Sequence, residues 1–358
     1  MADQRLSEFA DRHRRGQAAS AGRGSEGRAD RRTVAGAVMR AFALITLLLA
    51  GCAGQQSAMH VAGDQAATLM SLFRLMMWVC GIAYLLVILF LGWGLIRRRS
   101  AADTSEQPYH KLMAGWVGFI LLGLILLVVA SFLADRSLGQ RPHVPLQVRV
   151  TGHQWWWRIE YQAGNGRRIE TANELHLPAG VPVLLELRAA DVIHSFWVPN
   201  LAGKMDMIPG KINRMTVTGR TNGWFRGQCA EFCGTQHANM ALAVKVEQVG
   251  EFERWLAEQA RPVSAEEGVA AGRKIFESAS CAVCHQVRGT EARGRVGPDL
   301  THVASRRTIA AGTAPMTHGS LRGWIIQPQA IKPGTSMPPS DLSPQDAEAV
   351  ASYLETLR

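Results

Sequence analysis

Cys229-Ala-Glu-Phe-Cys233-Gly-Thr-Gln-His237-Ala-Asn-Met240 puts two thiols, one imidazole and one thioether within twelve residues. Soft sulfur combined with imidazole suits copper, and also zinc or an iron–sulfur cluster. The thioether argues against structural zinc, which takes Cys and His. A blue-copper ion uses two His, one Cys and a weak Met, so this run holds too much sulfur for one such ion. A pair of coppers sharing both sulfurs, with a second His from elsewhere, is the simplest fit. His194, in Asp191-Val-Ile-His194-Ser-Phe-Trp197-Val-Pro199, is the candidate for that second His. A disulfide or two buried thiols would explain neither His237 nor Met240 at these spacings.

The run C-x3-C-x3-H-x2-M with D-V-x-H-S upstream resembles the binuclear CuA site of cytochrome c oxidase subunit II. Gly152-His-Gln-Trp155-Trp156-Trp157 resembles the aromatic G-H-Q-W segment of the same family. The resemblance implies a cupredoxin-like β-sandwich in which Cys229 and Cys233 bridge two coppers. His194 and Met240 would complete one copper; His237 and the backbone carbonyl of Glu231 would complete the other. The Glu231 side chain would help hold a magnesium ion shared with the catalytic partner. Trp155 would be the point where electrons enter from a docked cytochrome c. On a strand the three Trp side chains alternate between faces, so at least one is expected to be exposed.

A second redox signature lies fifty residues on. Cys281-Ala-Val-Cys284-His285 is C-x-x-C-H, the attachment pattern of a c-type haem. Two thiols bond the haem vinyl groups and the adjacent His ligates the iron. Ser264 to Phe276 reads as a helix before it, with Ser264 and Glu267 as a capping box. Gly297-Pro298-Asp299-Leu300 and Lys332-Pro-Gly-Thr-Ser-Met337-Pro338 follow. A last helix near Pro344 to Leu357 has Ser343 as N-cap and Pro344 in its first turn. This order resembles a small, all-α class I cytochrome c. The resemblance implies Met337 as the distal ligand and Pro298 as a carbonyl partner for His285. Gly272 and Phe276 would cross the last helix near Tyr353. Met316 is the rival ligand, while His302 and His318 read as ordinary loop or surface residues.

Leu75 to Ile96 and Leu112 to Ala134 are uncharged runs long enough to cross a bilayer, for which roughly 20 residues suffice. Arg97, Arg98, Arg99 and Lys111 lie between them. The positive-inside rule puts that loop in the cytoplasm and both ends of the hairpin outside. Upstream, Met39-Arg40 followed by an apolar stretch to Ala50-Gly51-Cys52 reads as a signal peptide. Its end resembles a bacterial lipoprotein box, which makes Cys52 the candidate for lipidation. Met39 would serve as a start, leaving residues 1–38 an extension that is not made. Cys80 sits in the first apolar run as a small packing residue.

The domains expected are therefore residues 1–51 as extension and signal, 67–136 as membrane hairpin, 143–250 as copper domain and 264–358 as haem domain. Strand character in 143–250 comes from alternation in Leu146-Gln-Val-Arg-Val150, from Leu184 to Leu187, and from Met215 to Thr218. Turn clusters at Gly164–Gly166, Pro178–Gly180 and Thr221–Gly223 separate these runs. The whole is a multidomain fold: a two-helix hairpin, a β-sandwich and a helical cytochrome. The formal charge is +10, with nine Arg against five acidic residues in the first forty. No basic patch interleaved with aromatics is present, so nucleic-acid binding is not expected.

The combined resemblance is to a subunit II with a fused cytochrome c, of the caa type. It implies a bacterial inner-membrane protein whose copper and haem domains face the periplasm. Electrons from a periplasmic donor such as a cytochrome c would pass through haem c and CuA. They would reach the catalytic subunit I, accompanied by subunit III, where oxygen is reduced to water and protons are pumped. The small subunit of a nitric oxide reductase and a tethered copper carrier are the alternatives. One departure stands out. The family's second helix commonly begins E-x-x-W, with the Glu admitting protons, but here no acidic residue lies between Glu106 and Asp135.

Overall fold

The computed structural model describes residues 54–96, 107–139, 144–162, 168–263 and 269–358. Cys52 and its leader, the Arg97–Arg99 turn, the Gly164–Gly166 turn and the Ser264/Glu267 cap lie outside these residues.

The two apolar runs form α1 (Asp64–Ile96) and α2 (Gln107–Leu138). At 1.5 Å per residue each exceeds the roughly 30 Å of a bilayer core. Trp78, Leu95, Leu122 and Val128 point outward and are all well exposed. An apolar surface of this extent needs lipid around it. Helix α1 starts eleven residues before the expected Leu75, because its first turns are packed: Ala66 and Met70 are buried. Just before it, Ala62 N–H donates to the Asn200 carbonyl at 2.8 Å, and Ala66 N–H to that of Leu201 at 3.2 Å. Gly63 permits this approach, since a Cβ there would lie 2.5 Å from the Leu201 oxygen. The membrane anchor is thus stitched to the domain that follows.

That domain is a sandwich of two five-stranded sheets. One holds β1 (Leu146–His153), β2 (Trp156–Gln162), β3 (Arg168–Ala172), β5 (Val183–Ala189) and β8 (Asn213–Val217), in the order β3-β2-β1-β5-β8. The other holds β4 (Glu174–Pro178), β6 (His194–Trp197), β7 (Met205–Met207), β9 (Gly223–Cys229) and β10 (Ala241–Glu247), in the order β4-β10-β9-β6-β7. β1 runs parallel to β5 and β4 parallel to β10; the other pairs are antiparallel. Burial along β1 and β2 alternates with period two. Their inward residues Val148, Val150, Trp157, Ile159 and Tyr161 share one core with Leu175, Phe196 and Val244.

The Trp segment departs from the strand expectation. His153 pairs with Trp156, so Gln154 and Trp155 form the two-residue loop between β1 and β2. Trp157 is fully buried in the core, and Trp155 is 8% exposed. Trp156 is half-buried, stacked at 4.5 Å on His153 with the Arg158 guanidinium over it. None of the three is an exposed residue.

Helix α3 (Val249–Gln259) leaves the sandwich through a reciprocal capping box between Gln248 and Glu251. Its Phe252 and Trp255 pack on Tyr161. The last domain comprises α4 (Ala270–Ser278), α5 (Cys281–Cys284), a small hairpin of β11 (Thr308–Ile309) and β12 (Ala314–Pro315), α6 (His318–Ile326), α7 (Pro328–Ile331) and α8 (Pro344–Thr356). Ser343 caps α8 by accepting from Asp346 N–H, with Pro344 in the first turn. Helices α4 and α8 cross at Gly272, where a Cβ would meet the Ala349 carbonyl at 2.0 Å. Phe276 and Tyr353 pack beside the crossing, their rings 5.9 Å apart.

Candidate metal and haem sites

The first site is built at one end of the second sheet. β6 delivers His194, the end of β9 delivers Cys229, and the loop into β10 carries Glu231, Cys233, His237 and Met240. Cys229, Cys233 and His194 present ligand atoms all within 4.8 Å of one another. His194 Nδ1 is 3.8 Å from Cys229 Sγ, and His237 Nδ1 is 3.6 Å from Cys233 Sγ. Met240 Sδ lies 3.9 Å from Cys233 Sγ, and the Glu231 carbonyl 3.2 Å from Cys229 Sγ. Two thiols, two imidazoles, one thioether and one carbonyl therefore converge, a donor set that suits copper.

Asp191 orients this set. Its Oδ1 is 2.8 Å from His194 Nε2 and also accepts Val192 N–H, while Oδ2 accepts Gln154 N–H at 2.7 Å. Burial raises the Asp191 carboxyl, but the bonds from His194, Gln154 and Val192 outweigh it and hold it below its ordinary value. With Nε2–H given to Asp191, Nδ1 is left facing the sulfurs for a metal. Burial likewise opposes charge on His194, but its bonds with Cys229 and Asp191 raise its pKa. The neighbouring Cys233 thiol and the His194 ring hold the Cys229 thiol well below its ordinary value against its burial, and the same pairing, with burial, pushes Cys233 up. Gly152 makes room for the imidazole: a Cβ there would come within 2.8 Å of the His194 ring. The Glu231 side chain turns back to accept Phe232 N–H at 3.2 Å.

The second site is a cavity in the helical domain, lined by Cys281, Cys284, His285 and Met337. His285 Nδ1 is 2.9 Å from the Pro298 carbonyl, which leaves Nε2 for iron. Burial lowers the His285 pKa and so favours the neutral, ligating imidazole. Gly297 lets the loop close on this ring, since a Cβ would reach 2.5 Å from it. Met337 is held by Gln329, whose Nε2 donates to the carbonyls of Thr335 and Met337 at 2.7 and 3.0 Å. Met316, the rival ligand, packs at the edge of the domain core instead. His302 bonds the Arg261 carbonyl, and His318 lies between Glu348 and Glu355.

The cavity fits a haem on a further ground. Arg306 lines it and donates to the Asp299 carbonyl, but its buried Nε has no partner. Burial pushes this guanidinium below its usual value. A buried cation with an orphaned donor calls for an anion, and haem carries two carboxylates. The sequence alone does not mark Arg306, Gln329 or the orienting role of Asp191. No local spacing marks the first two, and Asp191 was visible only as part of the D-V-x-H-S run.

The two sites meet at Trp155. Trp155 lines the haem cavity, and its Nε1–H donates to the Cys233 carbonyl at 2.9 Å. Gln154 Nε2 donates to the same oxygen at 2.8 Å.

Comparison with known proteins agrees with this two-site arrangement. Residues 159–247 match the family "Cytochrome C oxidase subunit II, periplasmic domain", and residues 269–358 match the family "Cytochrome c". The chain is 32% identical over 333 residues to a cytochrome c oxidase subunit 2 of Alkalihalophilus pseudofirmus, spanning 88% of this chain and 96% of that protein. It is 30% identical over 345 residues to the subunit 2 of Bacillus subtilis, with the same coverage of 88% and 96%. Among solved structures, the periplasmic domain of subunit II of cytochrome oxidase from Bradyrhizobium japonicum is 30% identical. It covers 34% of this chain and 97% of that one, with a TM-score of 0.32.

Proposed function

The chain belongs to the cytochrome c oxidase subunit 2 family, and from this premise we propose the route its electrons take. It is a membrane-anchored subunit that receives electrons for a terminal oxidase, with copper and haem as its cofactors. The matched relatives are oxidase subunits, so the nitric oxide reductase and copper-carrier readings are set aside.

In the proposed route a periplasmic donor, such as a cytochrome c, delivers electrons to the fused cytochrome domain. They leave through Trp155 for the copper site and pass to catalytic subunit I, which reduces oxygen and pumps protons beside subunit III in a bacterial inner membrane. Haem and the copper pair supply the one-electron chemistry when bound. The chain's own residues set the geometry. Cys281 and Cys284 would hold the haem covalently, with His285 and Met337 as axial ligands and Arg306 at its carboxylates. His194, Cys229, Glu231, Cys233, His237 and Met240 would hold copper, with Asp191 fixing the His194 tautomer. The Glu231 carboxylate would also reach a magnesium ion shared with the partner subunit.

The observation that carries the route is Trp155 itself, one residue that lines the haem cavity and bonds the Cys233 carbonyl. In a subunit with a docked donor this residue would face solvent; here it is enclosed between two domains of its own chain. The test is Trp155→Phe in the assembled oxidase, with flash reduction of the haem and copper reduction followed optically. The transfer rate should fall about tenfold, equivalent to about 1.4 kcal/mol of barrier, while both site spectra persist. An unchanged rate sinks the route through Trp155.

A further inference from the structure

The haem domain is seated on the copper domain by contacts that no redox ligand makes. Ala241 N–H donates to the Ala311 carbonyl at 2.9 Å, and Gln236 Nε2 to that of Pro333 at 2.7 Å. Arg307 N–H donates to Glu174 Oε1 at 2.6 Å, and its guanidinium lies 4.6 Å over the Trp224 ring. Arg158 donates to the Arg295 carbonyl at 2.6 Å.

One residue in this seam differs in kind. Lys332 is 2% exposed. Its Nζ donates to the carbonyls of Trp155 at 2.8 Å, Asn239 at 2.7 Å and Ala310 at 2.9 Å. Three carbonyls take the three donors of an ammonium, so the group is fully satisfied without a carboxylate. Two of these carbonyls belong to the copper domain. One is that of the residue bridging the sites; the other precedes the copper-ligand candidate Met240. Lys332 itself begins the loop that carries Met337. A single side chain therefore ties together the Met337 loop, the Trp155 turn and the Met240 loop.

We propose that Lys332 is a positioning residue for electron transfer within this chain, holding the haem domain in the one seating that brings its cavity against Trp155. The proposal rests on the route through Trp155. In the step concerned, one electron leaves the reduced haem and enters the oxidised copper pair, and no proton moves. Lys332 lines the haem cavity, but its Nζ is taken up by three backbone carbonyls and it ligates neither centre. It acts by keeping the seated arrangement populated, and the observed rate scales with that population. Without it, three carbonyls are left without a donor in a seam closed to water, so the domains gain by separating.

The test uses the full oxidase with haem and copper loaded. In Lys332→Met, flash-reduced haem should pass its electron to copper at least tenfold more slowly than in wild type. The haem and copper spectra should stay unchanged. In Lys332→Ala, propylammonium should restore part of the rate by occupying the vacated space. A second readout needs no electron transfer: amide exchange at Ala241, whose N–H crosses the seam, should accelerate at least tenfold in Lys332→Met. Wild-type transfer rates in Lys332→Met overturn the positioning role, even where the Trp155 route holds. Absence of haem-to-copper transfer in wild type overturns the route, and the positioning role with it. Should Lys332→Met fail to assemble, exchange is read on wild type: exchange at Ala241 as fast as in an open loop overturns the seating itself.

Discussion

Asp191 shows how much of a metal site is decided by a residue that never touches the metal. One carboxylate receives an imidazole N–H and two backbone N–H groups, from Gln154 and Val192. It therefore fixes the His194 tautomer and also ties the β1–β2 turn, where Trp155 sits, to the copper ligands. Asp191→Asn keeps the shape but loses one charge-assisted acceptor. Loss of such an orienting partner typically costs about ten- to hundredfold in metal affinity. We expect that loss in copper titrations of the variant, with a shifted paramagnetic spectrum and an intact β fold. A spectrum and affinity equal to wild type would show that the His194 ring is set by packing alone. The metal-binding residue types were legible because ligand chemistry forces Cys, His and Met into short spacings. Arg306 and Lys332 were not legible as functional, because their roles depend on burial and on carbonyls contributed from distant parts of the chain.

At the scale of elements, Gly272 marks where α4 and α8 touch. The close approach needs a residue without a side chain, since a Cβ would lie 2.0 Å from the Ala349 carbonyl and 2.9 Å from Tyr353 Cβ. Backbone cannot step aside as a flexible side chain can. Gly272→Ala should therefore destabilise the haem domain by about 1–3 kcal/mol, the usual cost of overpacking a tight contact. Thermal melting followed in the haem band should report this, with copper absorbance lost at its normal temperature; coincident, unshifted transitions would contradict it. This crossing was legible because Gly and Phe stood at a spacing familiar from one family. The Trp turn was not. Alternation in β1 and β2 is clear on either side, yet nothing local says that the ladder closes at His153 and Trp156 and leaves Gln154-Trp155 outside it. The cap on α3 is silent in the sequence for a simpler reason: Gln is a rare N-cap, so Gln248 with Glu251 is no start signal.

For the molecule as a whole, fusion changes who can reach the copper site. Residues 269–358 cover the Trp155 turn, and the loop containing Ala310, Ala311 and Gly312 lies against Asn239, Ala241 and Lys332. Gly312 adopts a φ of +81°, and a Cβ there would press on Ala241 at 2.8 Å, so the loop fits its surface closely. A tethered, seated donor converts a bimolecular encounter into an intramolecular step. On the proposed route a soluble donor would deliver at the haem domain, because Trp155, only 8% exposed, offers it little surface. Ending the chain after Pro262 should reverse this. Hydroxyl-radical footprinting of such an oxidase should show Trp155 modified several-fold faster than in the full chain, while Trp157, fully buried in the sandwich core, stays protected. Steady-state oxidation of a small soluble cytochrome should then persist in the shortened oxidase, with the cytochrome docking at Trp155 itself and no longer at the haem domain. Equal footprints for the two proteins would mean that the cytochrome domain leaves Trp155 open in solution, and that electrons have two ways in.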